Sequence, residues 1–181
     1  ERQQQADGSM PRNSLPNGKL APDSFNTQLD ECAYPLIMAL AVGLTDNGYY
    51  KAHIAPAANY VASHGPAFGP ERWEEQSGFS PSTIAAEIAG LLAAADIADR
   101  HRDVASAAIF RGTADEFQRS IKGWTVTTNG PLEPRPYFIR LSRNGDPNAD
   151  TVYNVGNGGP DLDQRRVIDA GFLELVRLGM F

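Results

Sequence analysis

Cysteine is almost missing: Cys32 is the single one in 181 residues. That excludes an internal disulfide and any cysteine-based metal cluster, and leaves the redox compartment open. Histidine is scarce as well. His53, His64 and His101 never fall at an H-x-x-x-H spacing, so no zinc site is expected. Basic charge is in short supply: 16 Lys and Arg stand against 22 Asp and Glu, a net charge of −6. Binding phosphates needs a basic face, so no nucleic-acid partner is expected. Long hydrophobic runs are lacking too. The most apolar stretch, 33–44, is too short to cross a bilayer and contains Pro35, so no membrane partner is expected. No signal-peptide pattern starts the chain. It opens on Glu1 rather than Met and stops directly after a helical pattern, so both ends read as cuts and fix no compartment.

What is present fits one globular domain. Hydrophobic residues make up 41% and charged residues 21%, enough for a sizeable core. Residues 1–26 are polar and rich in Pro, Asn and Gly, a loop or linker leading into a domain at 27–181. Apolar residues dominate from Gln28 to Leu44 and predict a buried helix, with Asp30 and Glu31 suited to its N-terminus. A second helix is expected over 49–64, kinked or broken at Pro56. Ser80-Pro81 is a helix start, a Ser cap with Pro in the first helical position, for a helix running to about Arg100 with Ile84, Ile88, Leu91, Leu92 and Ala95 inward. Asp103 caps a fourth helix ending near Trp124. Short strands follow at 126–128, 137–141 and 151–155, and a fifth helix is predicted over 166–179. The expected class is all-α, paired helices with a small β insertion near residues 125–156.

The chemistry sits in the loop before Ser80. It reads Glu71-Arg72-Trp73-Glu74-Glu75-Gln76-Ser77-Gly78-Phe79. An isolated Trp-Glu-Glu is most often a solvated surface loop with the aromatic packed on the core. Here the acids directly precede a capped helix start, and Gly78 lets the backbone approach a ligand closely. Cleavage of a glycosidic bond needs such parts: an aromatic wall for a sugar face, an acid for the departing oxygen, and a second carboxylate for hydroxyls. Gln28 and Asp30 read equally as helix caps or as pocket lining. The cluster Asp146-Pro147-Asn148-Ala149-Asp150 lacks the glycine and terminal Glu of a calcium loop and reads as a turn. Gly156-Asn157-Gly158-Gly159 is not a nucleotide loop.

The segment from Arg72 to Leu91 resembles the acid-bearing segment of glycoside hydrolase family 15, the glucoamylases and bacterial glucodextranases. Further matches run in the same order. They are Gln28-Leu29-Asp30-Glu31 with Ala33-Tyr34-Pro35-Leu36-Ile37, then Tyr60-Val61-Ala62-Ser63-His64-Gly65-Pro66, then Trp124-Thr125-Val126-Thr127-Thr128-Asn129-Gly130-Pro131, then Gly156-Asn157-Gly158-Gly159 and the stretch 167–179. The resemblance covers about residues 24–179.

It implies a partial (α/α)6 barrel, a helical toroid with a funnel-shaped pocket, and inverting, exo-acting hydrolysis of α-1,4 or α-1,6 glucosidic bonds with release of β-glucose. It implies an α-glucan or oligosaccharide substrate, no metal, no cofactor, and a secreted enzyme, with a cytoplasmic one left open. By match, Glu74 is the general acid, Glu75 holds the sugar at the cleavage point, Trp73 packs beside it and Arg72 lends a backbone carbonyl. Gln28, Asp30 and Phe25 are further pocket candidates, Phe25 standing where the family often has an aromatic. Inversion also needs a base roughly 6.5–9.5 Å from the acid. In the family that base comes much later in the chain, so a fragment with only the acid half of the site is expected, inactive by itself. Glucodextranase or trehalose specificity, and a non-catalytic helical scaffold that binds carbohydrate or protein, are the alternatives.

Overall fold

The computed structural model describes residues 3–24 and 26–180. Helix α1 spans Leu29–Val42 and ends at Gly43, whose left-handed backbone (φ 75°) lets its N–H turn back to the carbonyls of the last turn. A short turn α2 (Asn47–Tyr49), held by the Asp46 side chain on the Tyr49 N–H, passes into a wide π-helical turn at Tyr50–Ile54 and then into α3 (Ala55–His64). The break expected at Pro56 is thus taken up before the proline: the wide turn comes first, and Pro56 sits in the opening turn of α3, where its missing N–H costs least.

The centre of the molecule is α4 (Pro81–Arg100). By length and composition it is apolar enough to cross a membrane, but it is mostly buried inside the protein and is its core helix. Ile84, Ile88, Leu91 and Ile97 are fully buried. Each such side chain contributes about 1.5–3 kcal/mol by leaving water. Leu92, expected inward, is exposed: it lines an open groove with Ile37 and Leu40 of α1 and with Leu178 near the end of the chain. Gly90 lets α1 come close: a Cβ there would stand 2.8 Å from the Ala33 carbonyl oxygen. The Ser80 hydroxyl makes no cap bond to α4 and sits 3.1 Å from the Ser82 hydroxyl instead. After a tight turn, Asp103 does cap α5 (Val104–Thr125), accepting from the Ser106 N–H at 3.1 Å. Ala107, Phe110, Ala114, Phe117 and Ile121 recur at helical spacing and bury that face of α5, whereas Ala108 is exposed. Packing of α4 on α5, of α4 on α1 and of α1 on α3 makes the core.

The rest of the chain covers one end of these helices. Strands β1 (Val126–Thr127) and β2 (Tyr137–Phe138) pair antiparallel, as do β3 (Val152–Asn154) and β4 (Asp161–Asp163). The β portion therefore runs past residue 156. The helix expected over 166–179 is not one helix. Turns of 3-10 type occupy Gln164–Arg166 and Ala170–Leu173, and only α6 (Glu174–Arg177) is α-helical. One tertiary tie and one local cap accompany the break. The Val167 carbonyl accepts from the Arg140 N–H at 2.8 Å, and the Asp169 carboxylate accepts from the Gly171 N–H at 2.5 Å. Among the described residues the fold is mostly helical with two small antiparallel sheets.

Candidate active site

The loop between α3 and α4 closes on itself. Pro70 and Ser77 form an isolated antiparallel bridge, and the Glu71 N–H donates to the Gln76 carbonyl at 2.8 Å. At the far side of that ring the Phe79 N–H donates to the Ser142 carbonyl (2.8 Å), and the Phe79 carbonyl accepts from the Ser142 N–H (3.1 Å). Gly78 makes this approach possible: with φ +148°, a Cβ would stand 2.5 Å from the Ser142 carbonyl oxygen.

Glu74 sits at the tip. Its backbone is left-handed (φ 63°), a conformation that costs a residue with a side chain roughly 1–3 kcal/mol. The Glu74 N–H holds it there by donating to the Glu71 carbonyl at 2.7 Å. The side chain is 38% exposed and meets the Arg12 guanidinium at 3.1 Å. Glu75 is half-buried and packs on Gly156, where a Cβ would fall 2.3 Å from the carboxyl group. Glu74 and Glu75 line one open cavity of about 500 Å³, with Thr27, Phe68, Gln76 and Arg143. Arg143 fixes its rim, donating to the Gln76 side chain at 2.6 Å and to the Ser77 carbonyl at 3.2 Å.

The other predicted residues divide. Trp73, 52% exposed, turns its indole N–H to the Asp169 carboxylate, with Arg72 over its ring at 5.5 Å. Arg72 also faces Glu174 at 3.8 Å. Neither residue lines the cavity of Glu74 and Glu75. Gln28 is buried and caps nothing with its side chain. Its amide donates to the Glu71 carbonyl at 3.2 Å, so it supports the acid loop from beneath. Asp30 is buried, and its Oδ1 has no hydrogen-bond partner among the described residues. Burial pushes its carboxyl above the ordinary range. Phe25 lies outside the described residues.

Other groups, assigned no site role from the sequence, gather around these. Burial, with Asp30 and Glu74 adding repulsion, pushes the Glu31 carboxyl up to about 8. Arg12 comes from the lead-in segment, which docks across α1 and the π turn. There the Gln4 amide donates to the His53 carbonyl (2.8 Å) and the Met10 N–H approaches the Cys32 sulfur (3.4 Å). Burial raises the Cys32 thiol to about 12, which leaves it inert. Glu71 and Arg140 form a buried ion pair at 2.6 Å. No short-range signal marks the contacts of Arg12 with Glu74 and of Glu71 with Arg140, because each partner lies tens of positions away. The turn at 146–150 spends its side-chain oxygens on protein partners: Asp146 on the Asn148 N–H, Asn148 on the Thr128 N–H and Asp150 on Arg165.

A strained glutamate beside a second carboxylate, at the mouth of a cavity on a helical scaffold, is a layout suited to a sugar-cleaving domain. Comparison with known proteins agrees with that class. Residues 19–181 match the profile described as "Glycosyl hydrolases family 15". The chain is 43% identical over 173 residues to a glucoamylase of Clostridium sp. (strain G0005), a match covering 96% of this chain and 24% of that protein. It also superposes on the crystal structure of a bacterial glucoamylase complexed with acarbose. The TM-score is 0.90 and the identity 42%, over 96% of this chain and 25% of the other. The chain belongs to glycosyl hydrolase family 15. It spans about a quarter of the length of these two relatives.

Proposed function

We propose that these residues are the acid-bearing part of an inverting, exo-acting α-glucosidase of the glucoamylase type, built as part of an (α/α)6 toroid. The observation that carries this reading is the convergence of Glu74 and Glu75 on one cavity, with Glu74 held in a strained backbone conformation. Glu74 serves as general acid to the departing glycosidic oxygen, and Glu75 grips sugar hydroxyls. Trp73 packs beside the acid, and Arg72 lends a backbone carbonyl to the sugar pocket of the whole enzyme. Gln28 shapes the floor through the Glu71 carbonyl. Asp30 adds a buried carboxyl beneath the acid loop.

The Arg12 guanidinium lies against the Glu74 side chain, so a glycosidic oxygen reaches that carboxyl only once the ion pair opens. The base that activates water belongs, on this reading, to the part of the family's length that these residues do not cover. The domain is taken to begin near residue 27, with residues 1–26 leading in, and the enzyme is taken to be secreted.

The test uses the enzyme as its gene encodes it: proton NMR follows the first glucose freed from 4-nitrophenyl α-glucoside, whose leaving group is not a sugar, and rates are compared on maltose, isomaltose and trehalose. β-Glucose appearing before its α anomer supports the reading, and the relative rates on the three sugars assign the linkage. Inhibition by acarbose, the compound bound to the solved relative, is expected as well. First release of α-glucose, or no turnover of any of the three, would refute it.

A further inference from the structure

Glu71 lies three residues before Glu74, and all of its polar groups are engaged, within the acid loop and with Gln28 and Arg140. Its N–H donates to the Gln76 carbonyl at 2.8 Å, and its carbonyl accepts from the Glu74 N–H at 2.7 Å and the Gln28 amide at 3.2 Å. One carboxylate oxygen accepts from the Trp73 N–H at 3.2 Å, the other from the Arg140 guanidinium at 2.6 Å. Side-chain exposure of the pair is 1% for Glu71 and 9% for Arg140. Arg140 is itself held by the β portion: its guanidinium donates to the Val155 carbonyl at 3.1 Å, and its N–H donates to the Val167 carbonyl at 2.8 Å. Arg140 thus joins Glu71 to the segment that follows β3 through its side chain, and to the one that precedes Asp169 through its backbone.

A buried ion pair is a poor device for stability, since apolar residues of the same volume often serve the fold as well or better. What it supplies is direction. Glu71 addresses the backbone N–H groups of both Trp73 and Glu74, and the left-handed turn at Glu74 depends on that alignment. We propose that Glu71 and Arg140 are positioning residues for proton transfer: together they fix the turn that aims the Glu74 carboxyl into the cavity. The inference rests on the reading of Glu74 as the general acid.

The test again uses the enzyme as its gene encodes it. Glu71→Gln keeps an acceptor for the Trp73 N–H but leaves Arg140 buried without its counter-charge. Glu71→Leu combined with Arg140→Met removes both charges, so a folded variant is available even where the single change does not fold. For the double variant, kcat on maltose should fall roughly ten- to a hundredfold, the scale of an ångström-sized misplacement of a reacting group. KM should change little, and α-glucosyl fluoride, whose leaving group needs less protonation, should be cleaved at a rate much closer to normal. A double variant with normal kcat on maltose, or with equal losses on both substrates, overturns the proposal. Glu74→Gln is measured alongside. If Glu74→Gln still turns over maltose, the acid assignment itself fails. If Glu74→Gln is inactive and the double variant behaves normally, only the positioning role fails.

Discussion

Glu87 is the side chain whose behaviour the structure predicts most sharply. It stands on α4 with 0% exposure, and neither carboxyl oxygen has a hydrogen-bond partner among the described residues. It is pressed against Gly65, where an added Cβ would lie 2.2 Å from Oε2 and 2.8 Å from the Phe117 ring. Burial first, and then the nearby Asp30 charge, push its carboxyl well above the ordinary value of 4.5. The sign of the linkage follows. In the unfolded chain Glu87 loses its proton near that value; in the fold it keeps it. Over the interval between the two, the folded state binds more protons, and stability falls as pH rises. The slope is about 1.4 kcal/mol per pH unit. The loss accumulates above pH 4.5 for as long as Glu87 keeps its proton in the fold, against the roughly 5–15 kcal/mol that a domain has. Asp7, Asp163 and Glu174, whose carboxyls are lowered by their partners, stabilise the fold above the carboxylate range and lose that effect only below it, outside the window. Urea unfolding of the 181-residue chain at pH 5, 6 and 7, followed by Trp73 and Trp124 fluorescence, reads the slope. Glu87→Met removes the proton and both unmet oxygens, so its curve should be flatter and its stability at pH 7 above that of the parent. A parent curve that is level from pH 5 to 7, or a Glu87→Met slope equal to the parent's, would refute this reasoning.

Three other outcomes are expected. Glu31→Gln should flatten the same pH profile further, between the ordinary carboxylate range and about 8, by less than Glu87→Met because Glu31 is only half-buried. Gly90→Ala should lower stability by about 1–3 kcal/mol in thermal melts, since its methyl group meets the α1 backbone at Ala33; a gain from helix propensity alone would contradict the close packing. The exposed Met38, Val42, Leu92, Val104 and Ile109 predict that the 181-residue chain binds a hydrophobic dye and self-associates as its concentration rises; a strictly monomeric sample without dye binding would count against that.

The helical part of the fold was legible wherever the signal was local. Asp103 as a cap and Pro81 in the first turn of α4 mark helix starts by their own chemistry, though the Ser80 hydroxyl caps nothing, and the spacing of Phe110, Phe117 and Ile121 defines a face whatever packs on it. The stretch 166–179 shows the limit. Its apolar spacing reads as a helix, but the Val167 carbonyl and the Asp169 carboxylate are engaged by Arg140 and Gly171, and those ties outweigh the pattern. The short strand at 161–163 has the sequence Asp-Leu-Asp, which carries no strand propensity; pairing with β3 makes it one. At the site, the acid loop was legible because its chemistry lies within a few residues. The buried pair of Glu71 with Arg140, the Arg12 contact to Glu74 and the turn of Trp73 toward Asp169 were not, because they join positions 69, 62 and 96 residues apart.

The central claim is that Glu74 delivers the proton, and the most direct test is Glu74→Gln in the enzyme as its gene encodes it. The amide keeps the shape of the side chain and its place at the cavity but has no proton to give. Turnover of maltose should drop by roughly a hundred- to ten-thousandfold while KM stays close to normal, and α-glucosyl fluoride should recover much of the rate. Glu75→Gln, measured in parallel, should instead raise KM and gain little from the fluoride. Near-normal hydrolysis of maltose by Glu74→Gln, or the same response of both variants to the fluoride, would contradict the account.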